Sequence, residues 1–300
     1  MLSRDPASKA HYGLFLTACS VCFVQMMNAG AKFVSEQHDP VESAFYRAVV
    51  GLTLMVLWLV YTGRWELLKT NRIGAHLGRS VVGNLNLCLV FYSFALMPMA
   101  SASSMFLTSG LFVVLLSPIF LQERITARRL LAVLLGLAGA LVVIRPGGGD
   151  ISIFAFFIGM TGAISTAAVA FMLRKLGETE HAFTSVFYFM LTGVIGAGGY
   201  MVFNGHLPSL DTIFPLIIVG TAALASLLCK TEAFRYAEAS YLTPVTYTAL
   251  IWATVFGWVL FRDVPDYYTV VGAVIIILAN MLVVLPPMKS SSKKVPPQEL

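Results

Sequence analysis

The stretch ASASSMFLTSGLFVVLLSPIFLQERITARRLLAVLLGLAGALVVIRP, residues 100–146, decides the fold. It consists of an apolar span, a short charged corner around Glu123, and a second apolar span. Residues 240–286 repeat this pattern as SYLTPVTYTALIWATVFGWVLFRDVPDYYTVVGAVIIILANMLVVLP. Glu123 pairs with Asp263 and Pro146 with Pro286 at a common offset, since 263 − 123 and 286 − 146 both equal 140. A shared offset predicts a chain made of two similar halves.

The composition is typical of a membrane protein. The 300-residue chain is 58% hydrophobic and 12% charged, with a mean hydropathy of +0.81, whereas soluble domains contain about 25% charged residues. The apolar runs are too long and continuous for the alternating strands of a membrane barrel. A net charge of +5 is compatible with nucleic-acid binding, but the basic residues lie at the ends of the apolar runs, which favours membrane topology. We therefore predict contact with a lipid bilayer and no nucleic-acid partner.

Ten apolar runs are long enough to cross a bilayer as helices, which requires roughly 20 residues. Their limits are 12–34, 41–62, 77–98, 101–121, 128–145, 151–173, 183–203, 212–234, 239–261 and 267–285. The joints contain turn formers such as Asp39-Pro40 and Gly63. Residues 287–300 are polar and predict a disordered tail.

The distribution of Lys and Arg predicts the orientation. Of the 20 basic residues, 15 lie on the side of the N-terminus, Arg79 among them, three lie on the opposite side, and Arg47 and Lys230 lie within spans. Basic loops mark the cytoplasmic side, so both termini are predicted to be cytoplasmic. Because each half contains an odd number of spans, the second half is inverted relative to the first. The predicted repeats are residues 1–146 and 151–286.

Ten helices in two inverted five-helix halves, each with an acidic corner between its fourth and fifth helices, resemble the EamA type of the drug/metabolite transporter superfamily. The resemblance is carried by Phe94-Ala95-Leu96 with Ala100 to Glu123, and by Phe234-Arg235-Tyr236 with Ala239 to Asp263. That family often has a Pro at the interval separating Pro244 from Asp263; the first half has Ser104 there, which departs from the pattern. The resemblance implies an all-α protein of the bacterial inner (plasma) membrane, with helices 1–4 and 6–9 around a central cavity.

Small residues form one face of the fifth span. Ala132, Gly136 and Ala140 recur at four-residue spacing, which is typical of close helix contacts in membranes. We interpret this face as packing within the chain rather than as a dimer interface. The expected state is a monomer or a weak dimer.

Polar side chains within the spans are expected to face the interior of the bundle, because burying them in lipid is costly. Two roles remain open for Gln25 and Asn84: their side chains either line a substrate path or form hydrogen bonds to a neighbouring helix. Ser and Thr favour bonding, since their hydroxyls reach their own helix backbone. The polar candidates for substrate binding are Gln25, Asn28, Asn84, Ser104, Thr108 and Thr243.

Aromatic side chains add a second group of candidates. Tyr46 and Tyr188 occupy matching positions in the two halves, at an offset of 142 (188 − 46). Such a pair predicts a sandwich around a planar ring. The aromatic candidates are Tyr46, Tyr92, Phe187, Tyr188, Tyr247 and Trp252.

Arg47 is a charge placed well inside a span, about 9 Å from its outer end at 1.5 Å per residue. We expect it to attract a substrate carboxylate, with a structural ion pair and snorkelling to the surface as alternatives. Carboxylates are absent from the centres of the predicted spans, so the sequence supports no buried proton relay. Glu42 and Glu232, near the ends of spans, are candidates for coupling transport to proton movement.

These features favour a secondary carrier that moves a small metabolite by alternating access, without a metal or cofactor. The sequence contains no P-loop for ATP. The resemblance implies amino-acid export, and the aromatic-rich interior favours an aromatic amino acid, as carried by the aromatic amino acid exporters of the superfamily. Alternatives are uptake of riboflavin or S-adenosylmethionine, and efflux of cationic drugs. An enzyme would need clustered acid–base or metal ligands, and a channel would need rings of like residues; the spans show neither pattern.

Overall fold

The computed structural model describes residues 6–35, 37–121, 127–144, 151–177, 180–236 and 245–284. These residues form α-helices joined by short connections, one of which contains a 3₁₀ helix, Trp65–Leu68. The helices are α1 (Pro6–Val34), α2 (Pro40–Thr62), α3 (Ile73–Leu96), α4 (Met99–Leu107), α5 (Ser109–Leu121), α6 (Ala127–Ile144), α7 (Ile153–Gly177), α8 (Ala182–Asn204), α9 (Leu210–Tyr236), α10 (Ala249–Phe261) and α11 (Tyr267–Val284).

The predicted spans each coincide with one helix or with a consecutive pair. Seven stretches within the described residues are long and apolar enough to cross a membrane, and shorter apolar helices lie at Leu130–Ile144, Ala249–Phe261 and Tyr267–Leu282. The fourth span comprises α4 and α5, and the ninth begins outside the described residues. The prediction of an all-α, multi-pass membrane protein with ten spans is confirmed. The predicted tail, 287–300, and the corner at Glu123 lie outside the described residues.

Local chemistry sets the limits of the helices. Pro40 begins α2, where its fixed φ suits the first turn and its missing N–H is not needed. Gly63 ends α2 with a φ of 67°, a left-handed conformation that glycine adopts without strain. The N–H of Gly63 then bonds the carbonyl of Leu59 at 2.8 Å. This turn brings the chain back into α3, antiparallel to α2.

Helices of the two halves pack in matched pairs. α1 lies along α9, α3 along α7, α2 against α8, and α6 along α11. Numbered as spans, these pairs are 1 with 8, 3 with 6, 2 with 7, and 5 with 10. Exchanging the halves maps the set onto itself, as expected for two halves related by a two-fold axis.

The crossing of α2 and α8 lies close to this axis. Gly51 and Gly193 are matched at the offset of 142, as are Ala48 and Met190. A Cβ added to Gly51 would lie 3.0 Å from Met190 Sδ, and one added to Gly193 would lie 3.1 Å from Ala48 Cβ. The Gly51–Met190 contact and the Gly193–Ala48 contact are therefore equivalent when the two halves are exchanged. Two equivalent contacts lie at the same crossing only beside a two-fold axis. In an inverted repeat this axis lies in the plane of the membrane, so the crossing is near the bilayer midplane.

The fourth and ninth spans are broken at matching positions. Thr108 separates α4 from α5, and its hydroxyl donates to the Met105 carbonyl at 2.6 Å. Thr248, at the offset of 140, precedes α10 and donates to the Val245 carbonyl, also at 2.6 Å. A hydroxyl that bonds the carbonyl three residues earlier competes with the helical ladder.

The break in the fourth span frees a backbone carbonyl. The N–H of Leu111 bonds the carbonyl of Thr108 at 2.9 Å instead of that of Leu107. Asn280 of α11 donates its Nδ2 to the Leu107 carbonyl at 3.1 Å. Broken helices are tolerated at membrane depth only where such partners exist, and they are typical of secondary transporters.

Candidate functional site

One group of buried polar side chains joins three helices, and we name it the amide cluster: Gln25, Asn28, Ser103 and the carbonyl of Ala249. Gln25 Nε2 donates to Ser103 Oγ at 2.7 Å and to the Ala249 carbonyl at 2.8 Å. Asn28 Nδ2 donates to Gln25 Oε1 at 3.1 Å. The Gln25 side chain therefore links α1 to α4 and α10. Asn28 Oδ1 is buried without a partner in the described structure, and it leaves one acceptor open.

A second group, the guanidinium pair, consists of Arg47 on α2 and Arg79 on α3. Arg47 is 2% exposed and Arg79 is 4% exposed. Both guanidiniums lie over the ring of Phe189 on α8, with Cζ 5.0 Å and 4.3 Å from its centroid, so that the two cations are less than about 10 Å apart. Two positive charges therefore share one aromatic side chain.

The guanidinium pair has free hydrogen-bond donors. Arg47 Nε and Nη2, and Arg79 Nε and Nη1, are buried and find no acceptor among the described residues. The Nε and Nη2 groups of Arg47 form one edge of the guanidinium, which is the fork that binds a carboxylate through two parallel hydrogen bonds. The ion pairs that the described residues form do not include either arginine.

The contacts with the ring of Phe189 do not offset the free-energy cost of burying the two guanidiniums. An unpaired buried charge costs several kcal/mol, and two like charges at most about 9 Å apart repel by roughly 2 kcal/mol or more at an effective dielectric constant of about 20. A cation–π contact returns only about 0.5–2 kcal/mol. The arrangement therefore favours an anion between or beside the arginines.

The position of the guanidinium pair follows from the fold. Phe189 is the sequence counterpart of Arg47, since 189 − 47 equals 142. Their contact lies at the α2–α8 crossing, next to the axis and near the bilayer midplane, where an inverted-repeat transporter binds its substrate. Asn84 fixes α3 to this crossing, because its Nδ2 donates to the Phe189 carbonyl and to Thr192 Oγ1, both at 3.2 Å. Of the two roles open for Asn84, the structure displays the bonding one.

One end of the bundle is held by Lys32, and we call it the Lys32 end. Lys32 Nζ lies 2.9 Å from Asp263 Oδ2 and donates to the Met97 carbonyl, also at 2.9 Å. It also lies over the ring of Phe261, 4.9 Å from the centroid. This cation ties α1 to the α3–α4 and α10–α11 joints.

An acid–histidine cluster lies at the same end. Glu42 is fully buried; its Oε2 lies 2.7 Å from His38 Nδ1, and its Oε1 lies 3.0 Å from His206 Nδ1. Tyr46 donates its hydroxyl to the His206 carbonyl at 2.7 Å. These bonds connect the start of α2 to the α8–α9 joint.

The opposite end, the His76 end, is closed by contacts of the first turn of α3 and the α2–α3 joint with α8 and the residues just before it. His76 Nε2 lies 3.2 Å from Glu180 Oε2, and this hydrogen bond lowers the pKa of the Glu180 carboxyl below its ordinary value. Tyr188 stacks on His76 with ring centroids 5.1 Å apart and donates to the Leu68 carbonyl at 3.2 Å. An open cavity of about 650 Å³ lies beside these residues.

The predicted Tyr46–Tyr188 sandwich is wrong. Tyr46 is bonded at the Lys32 end and Tyr188 at the His76 end. Because the halves are inverted, matching side chains point toward opposite ends of the bundle. The two rings therefore do not face one ligand.

The other predicted site residues are dispersed through the bundle. Ser104 and Thr108 donate to carbonyls of their own helix. Tyr92 is 37% exposed, Phe187 packs edge-on against Tyr188, and Trp252 stacks on Phe256. Tyr247, which is half-buried, adjoins the break before α10, and Thr243 lies outside the described residues.

Arg79 was not among the predicted site residues: it was counted with the basic residues on the side of the N-terminus, two residues inside the predicted third span. The third span was predicted to begin at 77, but α3 begins at Ile73, so Arg79 lies more than one turn inside the helix. Its signal in the sequence was a charge followed by Gly83, whose missing side chain makes room for Phe189: a Cβ there would lie 3.0 Å from the ring.

Comparisons with known proteins agree with this architecture. The profile of the EamA-like transporter family matches residues 11–145 and again 153–285. The pseudopaline exporter of Pseudomonas aeruginosa strain UCBPP-PA14 is 28% identical over 264 residues, covering 87% of this chain and 92% of the exporter. A riboflavin transporter of Brucella anthropi is 27% identical, covering 74% and 80%. An S-adenosylmethionine uptake transporter of Rickettsia bellii is 25% identical, covering 81% and 83%.

A solved structure has the same fold. A crystal structure superposes with a TM-score of 0.62, covering 92% of this chain and 96% of the other, at 15% sequence identity. At that identity the likeness concerns the fold alone.

Proposed function

Since the chain belongs to the EamA-like transporter family, and is thus a membrane transporter of small molecules rather than an enzyme, we propose that it exports a carboxylate-bearing metabolite of the amino-acid class by alternating access. The observation that carries the proposal is the buried, unpartnered guanidinium of Arg47 near the bilayer midplane. A carboxylate is the group that its free Nε–Nη2 edge fits. The aromatic amino acids preferred by the sequence analysis are one subset of this class.

The repeats at 1–146 and 151–286 supply the mechanism. Rocking of two inverted halves about the α2–α8 crossing would expose the guanidinium pair to each compartment in turn. In the orientation that the basic residues favour, both termini are cytoplasmic, the Lys32 end is external, and the protein lies in a bacterial inner membrane as a monomer or weak dimer. The Lys32–Asp263 and His76–Glu180 contacts then belong to the two gates.

A buried positive pair disfavours cationic substrates. A cationic drug or S-adenosylmethionine, which carries a sulfonium, would add a like charge to the two arginines. Uptake of S-adenosylmethionine and efflux of cationic drugs are therefore the weaker alternatives for this chain. Recognition of an anion by Arg47 does not depend on the direction of transport.

Counterflow into proteoliposomes tests the proposal. We expect saturable transport of phenylalanine that is accelerated by substrate on the opposite side, which a channel does not show. Arg47→Gln is expected to reduce transport of phenylalanine by roughly 30-fold or more, while transport of its decarboxylated analogue, the cation phenethylamine, does not fall, because the variant removes a like charge. Arg64→Gln, an exposed substitution at the α2–α3 joint, is the matched control. Equal effects of Arg47→Gln on both compounds would overturn the role of Arg47.

A further inference from the structure

We propose that the substrate carries two anionic groups, one for each member of the guanidinium pair, so that dicarboxylates, acidic amino acids or phosphate esters bind in preference to singly charged relatives. This inference rests on the proposed function and assigns a substrate-binding role to Arg79. The structure brings Arg79 to the same ring as Arg47. The substrate class thereby changes from a large apolar acid to a dianion.

The balance of charge favours a ligand with two anionic groups. Two buried guanidiniums carry two positive charges, and a zwitterionic amino acid brings no net charge to offset them. A dianion neutralises both in the bound state, which is the arrangement that a low-dielectric interior requires. Lys230 of α9 also interacts electrostatically with Arg79, which adds a third positive charge near the pair.

Four carboxylates have partners among the described residues. Glu42 is held by His38 and His206, Asp263 by Lys32, and Glu180 by His76. Asp39 accepts a hydrogen bond from Tyr200 at 2.6 Å. The charges of these four acids are therefore already engaged by neighbouring side chains.

The geometry supports a bridging ligand. Both cations contact the ring of Phe189 and are buried on separate helices. Arg47 keeps its Nε–Nη2 edge free, which fits one carboxylate through two hydrogen bonds. Arg79 keeps Nε and Nη1 free; these donors lie on different edges of its guanidinium, and each can donate one hydrogen bond to a second anionic group. A bridging dianion would therefore join α2 to α3, beside Phe189 of the other half.

The test is counterflow with pairs of compounds that differ by one anionic group: succinate with succinamate, glutamate with glutamine, and phosphoserine with serine. We expect the wild-type protein to transport the more anionic member of at least one pair better by roughly tenfold or more. Arg79→Gln is expected to abolish that preference by reducing the dianion to the level of its partner. Arg64→Gln is expected to preserve it.

Two outcomes overturn the inference: equal transport within all three pairs, or a preference that survives Arg79→Gln in folded protein. The comparison within the wild type is decisive even if Arg79→Gln fails to fold. Transport of phenylalanine with no preference for dianions would leave the proposed carrier intact and reject the second anionic group. Absence of saturable counterflow for every carboxylate tested would reject the proposed function itself.

Discussion

The amide cluster and the guanidinium pair are both buried in one apolar bundle, yet they differ in how their polar atoms are satisfied. The Gln25 amide has hydrogen bonds to two other helices, whereas the arginines face an aromatic ring and keep free donors. A buried polar group with hydrogen-bond partners stabilises the fold. A buried charge without a partner destabilises the unliganded fold and favours binding of an oppositely charged ligand. This difference separates residues that hold helices together from the residues that we propose to bind substrate.

The largest effect on stability is expected when the hydrogen bonds of Gln25 in the amide cluster are broken. Gln25→Leu leaves Ser103 Oγ and the Ala249 carbonyl without their donor. We expect the free energy of unfolding to fall by about 2–3 kcal/mol, a loss that combines two interhelical hydrogen bonds and an unsatisfied carbonyl. Thermal unfolding in lipid nanodiscs measures the change.

Ser93→Ala is the control for this substitution, because Ser93 Oγ bonds only the carbonyl of Leu89 in its own helix. It is expected to change the free energy of unfolding by less than about 0.5 kcal/mol. Similar losses for Gln25→Leu and Ser93→Ala would show that the amide cluster does not hold the helices together.

The α2–α8 crossing supplies the next prediction. A Cβ at Gly193 would lie 2.9 Å from Asn84 Oδ1 and 3.1 Å from Ala48 Cβ, so Gly193→Ala is expected to cost about 1–2 kcal/mol through overpacking. Gly196, on the same helix, has open space around it, and Gly196→Ala is expected to be neutral. If both substitutions are neutral by thermal unfolding, the helices do not cross as closely as described.

The Lys32–Asp263 ion pair is expected to matter less. The two side chains are 16% and 31% exposed, so solvent screens their attraction. A double-mutant cycle with Lys32→Met and Asp263→Asn is expected to give a coupling free energy of about 0.2–1 kcal/mol. A coupling of several kcal/mol would mean that the pair is shielded from solvent as fully as the guanidinium pair.

The smallest effect concerns pH at the His76 end. The hydrogen bond with His76 lowers the pKa of Glu180, so its contribution to stability is present above the unfolded-state pKa and is lost as the pH falls through the folded-state pKa. The melting temperatures of the wild type and Glu180→Gln should therefore converge on acidification from about pH 6 to pH 3. A difference that stays constant over this interval would remove the ionised carboxylate from the explanation.

Much of the fold was accessible from the sequence, because span length and hydropathy follow directly from the thickness of the bilayer. The matched offsets of 140 and 142 likewise indicated the duplication before any coordinates. The predicted repeat limits stay a prediction, although the family profile matches the two segments separately.

The site was harder to derive. Arg79 was counted with the residues at the cytoplasmic edge of the third span, because a four-residue error in the start of a helix changes the depth of a charge by about 6 Å. The tyrosine sandwich failed because matched positions in inverted halves point in opposite directions. Hydrogen-bond partners such as those of Gln25 and Asn84 depend on helix rotation, which hydropathy does not specify.

The central claim is that the guanidinium pair lacks an acidic partner in the protein because a ligand supplies the negative charge. The most direct test is the melting temperature of the Arg47→Met/Arg79→Met double variant in nanodiscs free of added carboxylates and phosphates. Replacing unpaired buried charges by apolar groups of similar length is expected to stabilise the fold, by about 1–4 kcal/mol. The account predicts a double variant that melts above the wild type. A double variant that is folded but melts clearly below the wild type would contradict it, because the arginines would then be stabilising the fold themselves.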